Sequence, residues 1–219
     1  VQRQWPRNRG AEQVEPFVHG VEGDELDDAD VLLLDGHHMD VALALAQAAS
    51  MTGVPVVLDG GSWKPRTEDL VEYVDYAAVS SAFSLPSGDE PLGALAEMGC
   101  RFVAQTRGPD SILVLADGVR REVPVATITA PGVVDTLGAG DVLHGALATL
   151  VAHHGRSLPF VEMVRRAKEV VDGDVALVMG GFHLGDASET QIDDTSVVVG
   201  GDDDVRGLQV EVDEVDDDH

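Results

Sequence analysis

Two aliphatic runs that end alike, "VLLLDG" at 31–36 and "VVLDGG" at 56–61, constrain this chain more than any other feature. Between them lies "MDVALALAQAASMTG", whose apolar residues recur at helical spacing and whose Gly53 supplies a stop. Continuous apolar runs this short read as buried strands, and two of them joined by one helix make a βαβ unit with parallel strands. The pattern continues with a helix near 67–73, a strand at "YAAVS", a helix near 89–99 and a strand at "RFVAQT". "SILVLADGVRREVPV" then reads as a hairpin turning on its Asp-Gly pair. The expected fold class is α/β, a Rossmann-like, mostly parallel sheet flanked by helices, and 219 residues suffice for one such domain or for one and part of a second. Ligands of open parallel sheets bind at the carboxyl ends of the strands, where Asp35, Asp59, Ser80, Ser81 and Thr106 fall. Each of these, taken alone, is an ordinary strand-end turn residue.

Charge removes several classes of partner. Forty acids against fourteen Lys and Arg give a formal net charge of −26, a surface that repels nucleic acid and anionic membranes, so neither is expected as a partner. Asp (26) outnumbers Glu (14), and Lys is reduced to Lys64 and Lys168 beside 12 Arg, a balance resembling that of salt-accumulating halophiles. No apolar run approaches the roughly 20 residues of a membrane span. The opening "VQRQWPRNRG" has no initiator Met, no apolar h-region and no cleavage site, so a soluble, cytoplasmic protein starting mid-gene is expected. Cys100, the single cysteine, is expected to be an inert buried thiol.

The chemistry-bearing stretch is "DTLGAGD" at 135–141, set between "PGVV" and the helical pattern "VLHGALATLVAHH". A Gly-rich turn that opens a helix presents backbone N–H groups without intrahelical partners, and the helix dipole adds roughly half a positive charge there, which makes an anion site. Gly138, Ala139 and Gly140 carry no bulk, so a phosphate can come close to the backbone. Asp141 then has two readings. It takes a proton from an attacking hydroxyl, or it caps the helix. Spacing alone leaves both open.

The longer stretch "APGVVDTLGAGDVLHGAL" resembles the C-terminal signature of the ribokinase-like, PfkB-type carbohydrate kinases. The likeness runs over about residues 30–155 and takes in "VVLDGGSWKP", the strand end at Ser80 and Ser81, "TRG" and the hairpin. It implies ATP-dependent transfer of a phosphoryl group to a hydroxyl of a sugar or nucleoside, with Mg and, in some members, K. By the same resemblance Asp141 is the base and Gly138, Ala139 and Gly140 form the anion hole. Thr106 and Gly108 match the nucleotide-binding turn, while Asp135 and the backbone of Leu137 match positions that hold a monovalent cation in some members. The chain also departs from the family. An Asn and a Glu that usually follow the third of these strands are replaced by "VSSAFSLP". Nothing in 1–29 resembles the family's first strands, β lid or sugar-gripping residues, so a ribokinase-like core truncated at its N-terminus is expected.

The expected plan is a poorly structured or remnant segment at 1–29, the kinase core at 30–155, a helix–strand segment at 156–185 and an acidic tail at 186–219. "VALVMGG" reads as the strand of the third segment; the tail, with thirteen acids against one Arg, reads as disordered. Residues 160–192, with "VMGGFHL", resemble a C-terminal piece of metallo-β-lactamase-fold hydrolases, whose His-x-His-x-Asp-His cluster the chain lacks, so His183 reads as structural. His37 with His38, and His153 with His154, are adjacent and cannot both face one metal from a regular element. Trp63 and Lys64 either line the cleft near a phosphate or pack at the sheet edge, and Arg107 either meets a nucleotide phosphate or lies solvated. A non-catalytic remnant that binds a nucleotide, or a hydrolase fragment, is the alternative to a kinase. From the Asp-rich, Lys-poor surface, full cooperative structure by circular dichroism is expected only in molar KCl, where like-charge repulsion is screened. The same structure in dilute buffer at neutral pH would overturn the halophile-like reading.

Overall fold

In the computed structural model, which describes residues 26, 28–108, 110–125, 138–179, 197–200 and 207–209, four strands lie parallel in chain order. They are β1 (Ala29–Leu34), β2 (Val56–Gly60), β3 (Tyr76–Val79) and β4 (Phe102–Arg107), linked by helices α1 (Met39–Thr52), α2 (Thr67–Val71) and α3 (Pro91–Glu97). Strands β5 (Asp110–Ala116) and β6 (Val119–Val123) continue the sheet antiparallel beyond β4. On the other side β7 (Val197–Gly200) runs antiparallel to β1, and β8 (Gly207–Gln209) antiparallel to β7. The sheet order is β6-β5-β4-β3-β2-β1-β7-β8, a parallel centre with antiparallel flanks. Helix α4 (Ala139–His154), a 3-10 turn (Gly155–Ser157) and helix α5 (Phe160–Met179) complete the described elements.

Local chemistry sets the boundaries. Helix α1 ends at Gly53, whose left-handed backbone (φ 85°) lets its N–H reach the Ala49 carbonyl at 2.9 Å. Helix α3 starts with Pro91 behind Glu90, whose carboxylate accepts from the Leu92 and Gly93 amides at 3.3 and 3.0 Å. The β5–β6 turn places Asp117 and Gly118 both at positive φ (50° and 77°), the type I′ geometry that an Asp-Gly hairpin selects.

Strand periodicity divides the core in two. Leu32, Leu34, Val56, Leu58, Ala77 and Val79 pack toward α1, α2 and α3. The alternate residues Val31, Val57, Tyr76, Ala78, Phe102 and Ala104 pack toward α4 and α5, against Leu143, Leu147, Val151, Phe160 and Met163. Asp59, two residues beyond Val57, therefore shares a face of the sheet with α4.

Two expectations fail within the described residues. Residues 175–179 of "VALVMGG" are not a strand; α5 runs on through Met179. Phe160, Met163, Val164, Ala167 and Val171 are buried at helical spacing and establish the helix, which then propagates into the apolar run. A short apolar run of this kind does not tell strand from helix by itself. The acidic segment 186–219 contributes β7 and β8 to the sheet, because its three consecutive valines at 197–199 suit a strand whatever the surrounding charge. Leu26, in the segment read as poorly structured, is 2% exposed and belongs to the same core. Apart from Leu26, Asp28, Ala29, 197–200 and 207–209, the residues of 1–29 and 186–219 lie outside the described residues. None of the helices among the described residues is long and apolar enough to cross a membrane.

Gly60, at the end of β2, is required by close approach. A Cβ there would stand 2.5 Å from Val79 Cγ1 and 3.3 Å from Phe83 Cδ2, whereas one at Gly61 would meet nothing within 4 Å among the described residues. Gly60→Ala is expected to lower stability by about 1–3 kcal/mol in urea denaturation, the usual cost of overpacking. Gly61→Ala, the control, is expected to stay within about 0.5 kcal/mol of wild type.

Candidate functional site

The parallel strands bring their carboxyl ends to one edge, and the loops there are stitched to one another. Ser80 donates its hydroxyl to the Gly61 carbonyl at 2.8 Å and accepts from the Ala82 amide at 3.1 Å, so it ties the loop after β3 to the loop after β2. Lys64 donates from Nζ to the Asp35 carbonyl at 3.0 Å, tying the loop after β2 to that after β1. Asp35 accepts from the His37 amide at 2.8 Å and lies 2.9 Å from His37 Nδ1. Ser81 is exposed. Trp63 meets Phe83 edge-on at 5.7 Å and packs against the core, which is the sheet-edge reading of that residue.

Thr106 and Gly108 sit at the end of β4, where the β4–β5 register shifts between Gln105 and Arg107, and Gly108 (φ 63°) is exposed. Arg107 is held there, donating to the Ser111 carbonyl at 2.8 Å and to Ser111 Oγ at 2.6 Å, so its guanidinium is neither simply solvated nor wholly free for a phosphate. Cys100 is 1% exposed, as expected of a structural thiol.

Helix α4 begins at the same edge. Gly138 is its N-cap, in the left-handed region at φ 80°, and its carbonyl accepts from the Val142 amide at 3.0 Å. The amides of the first turn before Val142 have no acceptor within the helix. Gly140 and Asp141 are exposed. Among the described residues, a Cβ built at Gly138 would meet only Asp141 Oδ2, and one at Gly140 only His144 Cε1, each at 4.0 Å. With respect to the described residues the turn is therefore open in front, bounded by a carboxylate on one side and by an imidazole beneath, an arrangement that admits an anion to backbone amides. Asp135 and Leu137, with His183, lie outside the described residues. Among the described residues no three His, Cys, Asp or Glu side chains are grouped to hold a metal.

His144 is the site residue that the sequence reading passed over. It is 7% exposed, and its Nε2 lies 3.1 Å from the Ala78 carbonyl at the end of β3. A carbonyl only accepts, so Nε2 carries a proton. Nδ1 stands 2.9 Å from Asp59 Oδ2, with the carboxylate off the line of the ring N–H, so the contact is one of charge more than of aligned hydrogen bonding. A neutral ring would face that carboxylate with a lone pair. Burial pushes the imidazolium pKa down, but the adjacent Asp59 carboxylate, with the Ala78 and Gly140 backbone, pulls it up further, and the sum lies above the ordinary 6.5. One signal was present in the sequence: positions 144, 147, 148 and 151 make a helical stripe, and a His among three apolar residues needs a polar partner on the sheet.

Comparison with known proteins gives a consistent picture. The profile of the pfkB family carbohydrate kinases matches residues 10–170, further in both directions than the motif-based likeness at 30–155. Ribokinase from Thermotoga maritima superposes with a TM-score of 0.53 at 20% identity, over 69% of this chain and 52% of that one. Arabidopsis thaliana ribokinase, complexed with ribose and ATP, gives 0.52 at 22% identity, over 65% of this chain and 48% of that one. A Burkholderia thailandensis nucleoside kinase in complex with inosine gives 0.57 at 19% identity, over 70% and 52%. At these identities the likeness is one of fold, and the chain spans about half the length of each of these proteins. The resemblance of 160–192 to metallo-β-lactamase-fold hydrolases finds no support, since the kinase profile runs into α5 and residues 160–179 are one helix.

The raised pKa of His144 has a sign that can be tested. Folding favours its protonated form, so its contribution is fully present below the unfolded value near 6.5 and is lost as pH rises through the higher folded value. Urea denaturation between about pH 6 and 9 is expected to show wild type losing stability relative to His144→Gln, which binds no proton. Parallel pH profiles for the two proteins would refute the assignment.

Proposed function

The chain belongs to the pfkB family of carbohydrate kinases, and from that membership we propose that the turn at 138–141 transfers a phosphoryl group from ATP to a hydroxyl of a sugar or nucleoside. The observation that carries the reading is the open first turn of α4, with small residues at 138–140 and Asp141 beside them, standing at the carboxyl edge of a parallel sheet. The fold neighbours support the choice of reactants: one was solved with ribose and ATP, another with inosine.

In this reading Asp141 takes the proton of the attacking hydroxyl on a carboxylate oxygen, while the hydroxyl oxygen bonds to the γ-phosphorus, the β,γ P–O bond breaks and ADP leaves with that electron pair. The unpaired amides of the turn and the positive end of the helix dipole offset the negative charge that develops on the phosphoryl oxygens. Gly138, Ala139 and Gly140 let those oxygens approach the backbone. Thr106 and Gly108, at the end of β4, take the nucleotide side, and Asp135 is the candidate for a monovalent cation such as K. ATP, when bound, would supply the phosphoryl group, and Mg carried by its triphosphate would help offset the charge on the phosphoryl oxygens. We further propose a soluble, cytoplasmic and halophilic setting, on the strength of the charge balance.

Asp141→Asn separates the roles, because the amide is nearly isosteric but cannot take the proton. Acceptor-dependent ADP release, screened across pentoses, hexoses and nucleosides, is expected to fall by about 10²- to 10⁴-fold, some 3 to 5 kcal/mol of barrier, with nucleotide affinity by calorimetry nearly unchanged. Gly140→Val is expected to do the reverse and weaken nucleotide binding, since the space a Cβ would enter is, among the described residues, free of protein atoms apart from His144 Cε1 at 4.0 Å, and the added side chain would crowd an anion approaching the amides. Equal turnover in Asp141→Asn and wild type would leave Asp141 a helix cap. ATP binding by wild type without acceptor-dependent ADP release would favour a nucleotide-binding protein over a kinase.

A further inference from the structure

Resting on the phosphoryl-transfer reading, we propose that His144 is a positioning residue that fastens the first turn of α4 to the carboxyl ends of β2 and β3, and so sets where Asp141 and the anion-binding amides stand. The apolar side chains of α4, Leu143, Leu147, Ala148 and Val151, bury the helix against the sheet. Such contacts are non-directional and leave sliding and rotation of the helix weakly resisted. His144 adds two specific polar contacts on two different strands, a directional hydrogen bond from Nε2 to the Ala78 carbonyl at 3.1 Å and a charge contact of Nδ1 with Asp59 Oδ2 at 2.9 Å. It does so three residues from Asp141, with Cε1 directly beneath Gly140.

Stability does not account for the choice of residue. A buried ion pair gains little over well-packed apolar side chains of similar volume, and every other buried position on this face of α4 is apolar. What the pair supplies that another leucine does not is registry between a helix and two strands. Asp59 reaches it because the two-residue strand period carries its side chain to the α4 face, and the carboxylate is 23% exposed, so its own desolvation is partial.

Backbone amide exchange provides a test that needs no activity. His144→Phe keeps the volume and loses both polar contacts; Asp59→Asn leaves α4 untouched, removes the charge and is nearly isosteric at a partly exposed site. Both are expected to speed exchange at Val142, the first amide bonded within the helix, by about tenfold or more while residues 148–152 exchange as in wild type. His144→Gln, which can still donate to the Ala78 carbonyl, is expected to restore part of the protection. In turnover the Phe and Asn variants are expected to lose up to ~10²-fold in kcat with a smaller change in the KM of the acceptor, the pattern of a displaced catalytic group. Unchanged exchange at Val142 in both variants would overturn the proposal. If wild type transfers phosphate and both variants transfer it equally well, the positioning role falls while the phosphoryl-transfer reading stands. Local loosening without any turnover in wild type would uphold the positioning role and remove the kinase reading.

Discussion

Everything in this structure depends on the need of a parallel strand to be covered on both faces. Strands β1 to β4 advance across the sheet in chain order, and right-handed crossovers in one direction place every connecting helix on the same side. That side receives α1, α2 and α3. The other is left to elements from later in the chain, and α4 and α5 close it. The candidate site is a product of this arrangement: the helix that must cover Val31, Val57, Tyr76 and Ala78 has to begin at the edge where the strands end, and its first turn is "GAGD".

Electrostatics gives the site an unusual economy. Most arginines of the described surface are engaged with acids, among them Arg66 with Asp40 and Asp69, Arg101 with Asp117, Arg120 with Glu90, and Arg165 with Glu162 and Glu169. Exposed pairs of this kind add little stability, and they leave few cations to attract a phosphate in a chain with two lysines. An anion site built from backbone amides needs none. Amide donors act at contact distance and keep their strength in salt that would screen a distant lysine.

The β1–α1–β2 unit was legible because two strands with like endings frame one helix, and the start of α4 because small residues before an acid and an apolar helical pattern mark a helix N-terminus. The end of α5 was not legible: "VALVM" suits a strand or a buried helix equally, and the side chains from Phe160 to Val171 on the sheet decided it. Nor was β7, since a composition argument averaged thirteen acids over a stretch in which three adjacent valines pair with β1. Strand-end residues such as Ser80 could be placed at the carboxyl edge from the pattern, but not what they bond to: Ser80, and Lys64 beyond β2, join loop to loop, contacts that only the folded sheet brings together. His144 was missed because its partners come from distant strands; Ala78 is 66 residues away, and no local pattern names Asp59 as its neighbour.

The late arrival of α4 also has a kinetic meaning. The strand residues of the face it covers, from Val31 to Val114, are all synthesised before Ala139, the first residue of the cover. On the ribosome, at about 5–20 residues per second, that aromatic and aliphatic surface exists for seconds before α4 emerges, and longer before α5 does. The pairing of β7 with β1 comes later still and closes a loop of more than half the chain, the kind of non-local contact that slows folding. The interval between translation of β5 and translation of α5 is thus when a nascent chain of this protein has most surface to lose to aggregation, and its acidity then acts in a different capacity, keeping unfinished copies apart.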